Sequence, residues 1–221
     1  AFRMLPEVVW DLPPLGTLNL HGSLLPKYRG AAPINWAIMR GEKETGLTTF
    51  LLQHEIDTGD ILLQEKTPIG ENETAGDLHD RMMLLGAQLV LRTVQAIQNG
   101  TAHGRPQNDG EASHAPKIFT ETCGIDFDRP TQQVHDFIRG LSPYPGAWTL
   151  LDGKTLKITR TEKVEPANLP QALPAPGNFI SDGKNYLWIG TADGCIRVLE
   201  LQLEGKRRMA VRDFLNGYKV V

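Results

Sequence analysis

Cysteine is scarce in this sequence: Cys123 and Cys195 are the two in 221 residues, far apart and in no CxxC or CxxH spacing. That excludes a disulfide scaffold and a structural zinc site, and points to idle thiols in a reducing cytoplasm. Long hydrophobic runs are missing too. The longest, Met82 to Leu91, is interrupted by Gly86 and Gln88 and is too short to cross a bilayer, so no membrane passage is expected. Charge of one sign is also lacking: 23 basic and 26 acidic residues leave a net charge of -3. Any nucleic-acid contact must therefore come from local patches. At the front, Ala1 leads directly into the apolar run Phe2 to Leu5 with no initiator Met and no basic n-region, so the chain is expected to start inside a fold.

Turn-forming residues are abundant. The 22 glycines and 15 prolines make about one residue in six, which predicts frequent turns and short strands. Leu18-Asn19-Leu20-His21 alternates apolar and polar side chains, the period of a strand, and puts Asn19 and His21 on one face. Ser23 to Gly30 reads as a loop, and Pro33 suits the first turn of a helix that runs to about Arg40 and stops at Gly41. Leu47 to Gln53 and Ile61 to Lys66 have strand composition, with the turn-rich HEIDTGD between them. Leu78, Met82, Leu85, Leu89 and Ile97 recur at helical spacing up to Asn99-Gly100. Strands alternating with helices place residues 1–100 in the α/β class.

Periodicity disappears between Thr101 and Pro116, so 101–118 reads as a linker and 119–221 as a second domain. Within that second part a short helix ends at Arg139, and Asp-Gly pairs at 152–153, 182–183 and 193–194 punctuate β-type runs, as in a small β-barrel. The prolines at 166, 170, 174 and 176 predict one long surface connection.

An Asn and a His on one strand face fit a hydrogen-bonded core pair as well as a site, and Asp57 before a Gly is an ordinary turn former. Placement at a strand end and on a loop of an α/β sheet, where such folds bind ligands, favours the site. Ser23 lacks a G-x-S-x-G elbow, no phosphate-binding glycine loop is present, and the histidines show no H-E-x-x-H spacing. An Asn, a His and an Asp without a nucleophilic Ser or Cys suit direct acyl-type transfer, with the nucleophile supplied by the substrate.

The run Asn19-Leu20-His21-Gly22-Ser23-Leu24-Leu25-Pro26, continued by Tyr28-Arg29-Gly30-Ala31-Ala32-Pro33-Ile34, resembles the signature of the folate-dependent formyltransferases. Asp57-Thr58-Gly59-Asp60-Ile61-Leu62, which starts 36 positions after His21, is similar to that family's second motif. In the C-terminal half, Ala115-Pro116-Lys117-Ile118, Ser142-Pro143-Tyr144-Pro145-Gly146-Ala147 and Gly205-Lys206-Arg207-Arg208-Met209 resemble the branch that acts on methionyl-tRNA. The resemblance implies an α/β, Rossmann-like formyltransferase domain, N-terminally incomplete, followed by an OB-like barrel. It implies Asn19, His21 and Asp57 as catalytic residues. Folate contacts would run through Arg3, Met4 and Leu5, through Ser23, Leu24, Leu25 and Pro26, and through His54, Ile56 and Gly59. Contacts to tRNA would involve Arg29, Lys206, Arg207 and Arg208.

The implied donor is 10-formyltetrahydrofolate, the implied acceptor the α-amino group of methionine on initiator tRNA, in a cytoplasmic monomer without a metal. Asn19 and protonated His21 would donate to the oxyanion formed at the formyl carbon, and Asp57 would hold His21 or a water and relay the ammonium proton. Two other readings stand beside this one. One is formyl transfer to an amino-sugar nucleotide; the other is a catalytically inactive tRNA-binding fragment, because the family's first strands and helices have no counterpart here.

Overall fold

The structure is a computed structural model that describes residues 5–169 and 173–220. Of the expected folate contacts, Arg3 and Met4 lie outside the described residues. The chain divides into two compact units, each described by itself: residues 1–37, 42–70 and 77–117 form the first, and 38–41, 71–76 and 118–221 the second.

In chain order the first half carries α1 (Glu7–Trp10), β1 (Leu18–His21), α2 (Pro33–Met39), β2 (Glu44–Leu51), β3 (Ile61–Pro68) and α3 (Ala75–Gln98). The strands form one sheet in the order β1-β2-β3, antiparallel throughout, with His21 opposite Thr48 and Asn19 opposite Phe50. The α3 helix buries Leu78, Met82 and Leu89, the positions its apolar period marks. Thr93, one turn after Leu89, is buried as well and shares a 2.8 Å hydrogen bond with Thr49 of β2, so the helix is pinned by a polar contact its hydrophobic pattern does not reveal. The Thr101 to Pro116 stretch lies along the first unit rather than apart from it. Arg105 exchanges both backbone hydrogen bonds with Ile61, and Arg29 pairs with residues 113 and 115.

The second half contributes α4 (Thr131–Gly140), β4 (Ala147–Leu151), β5 (Lys154–Lys163), β6 (Phe179–Ser181), β7 (Leu187–Gly190), β8 (Cys195–Leu203), β9 (Met209–Ala210) and α5 (Val211–Gly217). The sheet order is β4-β5-β8-β7-β6, with β9 also on β8; every pairing is antiparallel. Among the described residues β4 and β6 do not pair, so the sheet is a half-barrel and not a closed one. Asp152 and Gly153, both at positive φ, make the tight β4–β5 turn, as an Asp-Gly hairpin requires.

Buried positions in β8 fall at Cys195, Ile196 and Val198, then at Leu201 and Leu203. Strict alternation is broken because the register against β5 shifts between Ile158 and Thr161, and a bulge of this kind bends the strands. The concave face thus formed holds Leu156, Ile158, Leu187 and Ile189 against Val134 and Ile138 of α4, Leu141 just after it, and Phe214 of α5. Cys123 and Cys195 are buried in this half, and burial pushes both thiols up from their ordinary value, which leaves them inert.

A polar network is buried in the same unit. Arg139 is 2 % exposed; its Nε donates to Asp136 Oδ1 at 2.7 Å and its Nη1 to the Glu73 carbonyl at 3.0 Å. His135 Nδ1 meets Thr161 Oγ1 at 2.9 Å and Nε2 lies 3.3 Å from the Glu71 carbonyl. Through these contacts α4 draws the 71–76 segment into the second unit. At the start of α4, Asp193 Oδ1 accepts from the Thr131 N–H at 2.7 Å, so the 193–194 turn caps the helix, and these hydrogen bonds hold the Asp193 carboxyl below the usual carboxylate range.

Candidate active site

Asn19 and His21 leave β1 on one side, as the two-residue period requires. His21 is nearly buried, and both of its ring nitrogens are accounted for. Nε2 is 2.8 Å from the Tyr28 carbonyl, an acceptor, so this nitrogen carries the proton. Nδ1 is then the nitrogen left open, and it faces Asp57 Oδ2 at 3.6 Å. That separation exceeds a direct hydrogen bond. The ring edge packs on Phe50, with centroids 6.5 Å apart at 82°. On Asn19, Oδ1 accepts from the Leu20 N–H at 2.9 Å, which leaves Nδ2 as a donor that bonds to nothing among the described residues.

The loop after β1 is held from below. Thr48 Oγ1 donates to the Ser23 carbonyl at 2.7 Å and accepts from the Leu25 N–H at 3.1 Å; Gln64 Nε2 adds a bond to the Leu25 carbonyl at 2.9 Å. Ser23 turns its hydroxyl to the Lys27 carbonyl. Tyr28 takes φ +61°, its hydroxyl donating to Glu42 at 2.6 Å, and its backbone is thereby set to hold His21.

Asp57 sits between β2 and β3 at φ +57°, in the left-handed region that costs a non-glycine residue energy unless neighbours impose it. Two neighbours do. The Gly30 N–H donates to Oδ2 at 2.9 Å, and Gln107 Nε2 donates to the backbone carbonyls of Asp57 and Gly59, each at 2.8 Å. A Cβ on Gly59 would stand 1.6 Å from the Leu51 carbonyl oxygen, so no side chain fits there. Gly30, at φ +122°, has the Ala115 carbonyl oxygen 2.7 Å from where its Cβ would be. The motif glycines therefore mark close backbone approaches.

Arg29 is turned inward. Its side chain is 10 % exposed, with Nε and Nη2 on Gln107 Oε1 at 3.0 and 2.8 Å and Nη2 on Asp109 at 2.8 Å. Contact between Arg29 and a phosphate would require that arrangement to open; as built, Arg29 and Gln107 brace Asp57 from behind. Gln107 is the residue that sequence reasoning missed. It lies in an aperiodic polar stretch, and nothing in its neighbourhood marks it.

The expected folate positions divide by exposure. Leu5, His54 and Ile56 are exposed and Leu24 and Pro26 half-buried, whereas Ser23, Leu25 and Gly59 are buried and hold the backbone. Gln53, His54, Glu55, Thr58, Asp60 and Gln107 line an open cleft of about 330 Å³ beside the Asp57 loop; Asn19, His21 and Asp57 are not on its wall. In the second unit Lys206, Arg207 and Arg208 are exposed on the turn between β8 and β9, with Arg208 3.7 Å from Glu200.

Because Gln107 meets Asp57 through its backbone, Gln107→Ala is expected to lower kcat about tenfold with little change in KM, since small misplacements of a catalytic group are costly. Steady-state kinetics beside a thermal melt check this, and an unchanged kcat would remove Gln107 from the account.

Two family models match the chain: the formyl transferase domain over residues 2–94 and the formyl transferase C-terminal domain over 117–219. A methionyl-tRNA formyltransferase of Phocaeicola vulgatus is 53 % identical, over 99 % of this chain and 69 % of its own length. HypX of Aquifex aeolicus, solved with tetrahydrofolic acid, shares the fold at a TM-score of 0.76 and 23 % identity, over 100 % of this chain and 39 % of that one. An N-formyltransferase of Helicobacter canadensis, in complex with folinic acid and dTDP-3-aminofucose, matches at a TM-score of 0.66 and 25 % identity, over 87 % of this chain and 66 % of that one. With both domain models matched along nearly its whole length, this chain belongs to the formyltransferase family, in the methionyl-tRNA formyltransferase branch.

Proposed function

We propose that this chain transfers a formyl group from 10-formyltetrahydrofolate to the α-amino group of methionine carried on initiator tRNA. The observation that carries the reading is the His21–Asp57 pair beside Asn19, joined to the identity with the methionyl-tRNA enzymes. A free α-amino group has a reference pKa of about 7.7 to 8.0, so part of it is neutral near pH 7 and no strong base is needed to make the nucleophile. The amine nitrogen bonds to the formyl carbon and its carbonyl becomes an oxyanion. Asn19 Nδ2 and a protonated His21 Nδ1 are the donors that meet this charge.

With Nε2 fixed on the Tyr28 carbonyl, His21 works through Nδ1 alone. The Asp57 carboxylate takes the ammonium proton, while His21, protonated before the attack, keeps its Nδ1–H on the oxyanion. As the bond from carbon to the folate nitrogen breaks, the proton passes to that nitrogen and the oxyanion collapses to the formamide. The folate donor would lie along the exposed side chains at 54 and 56 and the half-buried ones at 24 and 26. Apolar Ile56, 61 % exposed, suits an aromatic ring system.

The tRNA would be gripped by the exposed Lys206, Arg207 and Arg208. Each phosphate contact contributes about one unit to the slope of log affinity against log salt. Lys206→Ala and Arg207→Ala are each expected to reduce that slope by about one in tRNA-binding titrations. Slopes equal to that of the unchanged chain would take this turn out of the tRNA interface.

A further inference from the structure

We propose that the outer face of the half-barrel carries a nucleobase-binding pocket built on Trp188, Tyr186 and Arg197. An open cavity of about 440 Å³ lies there, lined among others by Glu162, Lys163, Asn168, Tyr186, Trp188 and Arg197. That size suits a small planar ligand. Strand register explains why these side chains meet: Trp188 on β7 is directly opposite Arg197 on β8, which is opposite Glu162 on β5. Trp188 and Arg197 alternate with Leu187, Ile189, Ile196 and Val198 of the core, so they stand on the other face, and the register sets Glu162 beside Arg197.

Three observations point to a planar heteroaromatic ligand. Tyr186 and Trp188 have ring centroids 4.7 Å apart at 36°, a tilted aromatic pair at the wall of the cavity. Trp188 Nε1 and Arg197 Nε are buried and have no hydrogen-bond partner among the described residues. Buried N–H donors left in this state are uncommon, and both belong to side chains that line the cavity. The charges on the wall are balanced, Glu162 and Glu165 against Lys163 and Arg197, so the pocket is not a phosphate site. A neutral ring with acceptor atoms and N–H edges, which is what a nucleobase offers, satisfies both the aromatic surface and the mixed donors and acceptors. The base could arrive on a free nucleotide or as an unstacked base of an RNA. The residues that line it belong to the second unit, whereas His21 and Asp57 belong to the first, and the inference does not depend on the proposed transfer reaction.

Tryptophan fluorescence of the 221-residue chain, titrated with AMP, GMP, CMP, UMP, ribose 5-phosphate and a short unpaired oligoribonucleotide, tests this. Saturable binding of at least one nucleotide or of the oligonucleotide, with none of ribose 5-phosphate, is expected. Trp188→Ala should weaken that binding roughly 5- to 150-fold, the range for loss of one stacked base, and Trp188→Phe should retain most of it. Arg197→Ala should weaken it as well, with thermal melts showing that each variant is folded. Response to a mononucleotide identifies a free nucleotide as sufficient, and response to the oligonucleotide alone identifies RNA as the source. Equal binding of ribose 5-phosphate, binding unaffected in folded Trp188→Ala, or no binding of any base-containing probe would overturn the proposal.

Discussion

Replacement of His21 by alanine is expected to lower formyl transfer by a hundredfold to a thousandfold, the usual cost of one lost oxyanion donor, and further if the proton route is lost with it. The structure adds a complication that has to be separated from this. His21 also donates to the Tyr28 carbonyl, and alanine leaves that buried acceptor unpaired at a cost of about 1–3 kcal/mol. His21→Gln separates the two roles, because its amide can still donate to Tyr28 while carrying no charge to meet the oxyanion. Both variants should lose turnover alike, and the glutamine variant should melt closer to the parent. Turnover that returned along with melting temperature in His21→Gln would make His21 a structural residue.

The second large effect is on stability. Asp136→Ala leaves the Arg139 guanidinium buried without its carboxylate, and breaking a buried pair on one side costs about 3–5 kcal/mol. Chemical denaturation should therefore show the second unit unfolding at much lower denaturant than in the parent. Asp136→Leu combined with Arg139→Met removes both charges and should recover a large part of the loss; no recovery would mean that the bond from Arg139 to the Glu73 carbonyl matters more than the ion pair.

His135 in the same network sets a pH dependence. Burial lowers its pKa from the ordinary 6.5, so the unfolded chain binds a proton that the folded chain refuses as pH falls below that value. The stabilisation is complete above pH 6.5 and is lost as pH drops through the folded-state pKa. In His135→Gln the slope in that window should flatten.

Elements with a strong period were legible in the sequence. The two-residue alternation at 18–21 gave β1 and the shared side of Asn19 and His21, and the apolar spacing from Leu78 to Leu89 gave α3. Asp57 was placed on a turn by composition, and the turn holds it at positive φ. What escaped was tertiary. Gln107 acts through backbone carbonyls fifty residues away, which no local pattern encodes. In α4 the burial of His135, Asp136 and Arg139 runs against the rule that charged residues face water; the Arg139–Asp136 pair, the Thr161 hydroxyl on His135 and the carbonyls of the 71–76 segment make it tolerable. The inward turn of Arg29 was equally hidden, because an arginine in a loop reads as exposed until Gln107 and Asp109 are known to be its partners.

The central claim concerns which amine these three side chains serve. Formyl transfer from 10-formyltetrahydrofolate, measured side by side with methionyl-tRNA and with an amino-sugar nucleotide as acceptors, tests it most directly. The account predicts formylmethionyl-tRNA as product and no modified sugar. Transfer to the amino sugar with methionyl-tRNA left untouched would contradict it.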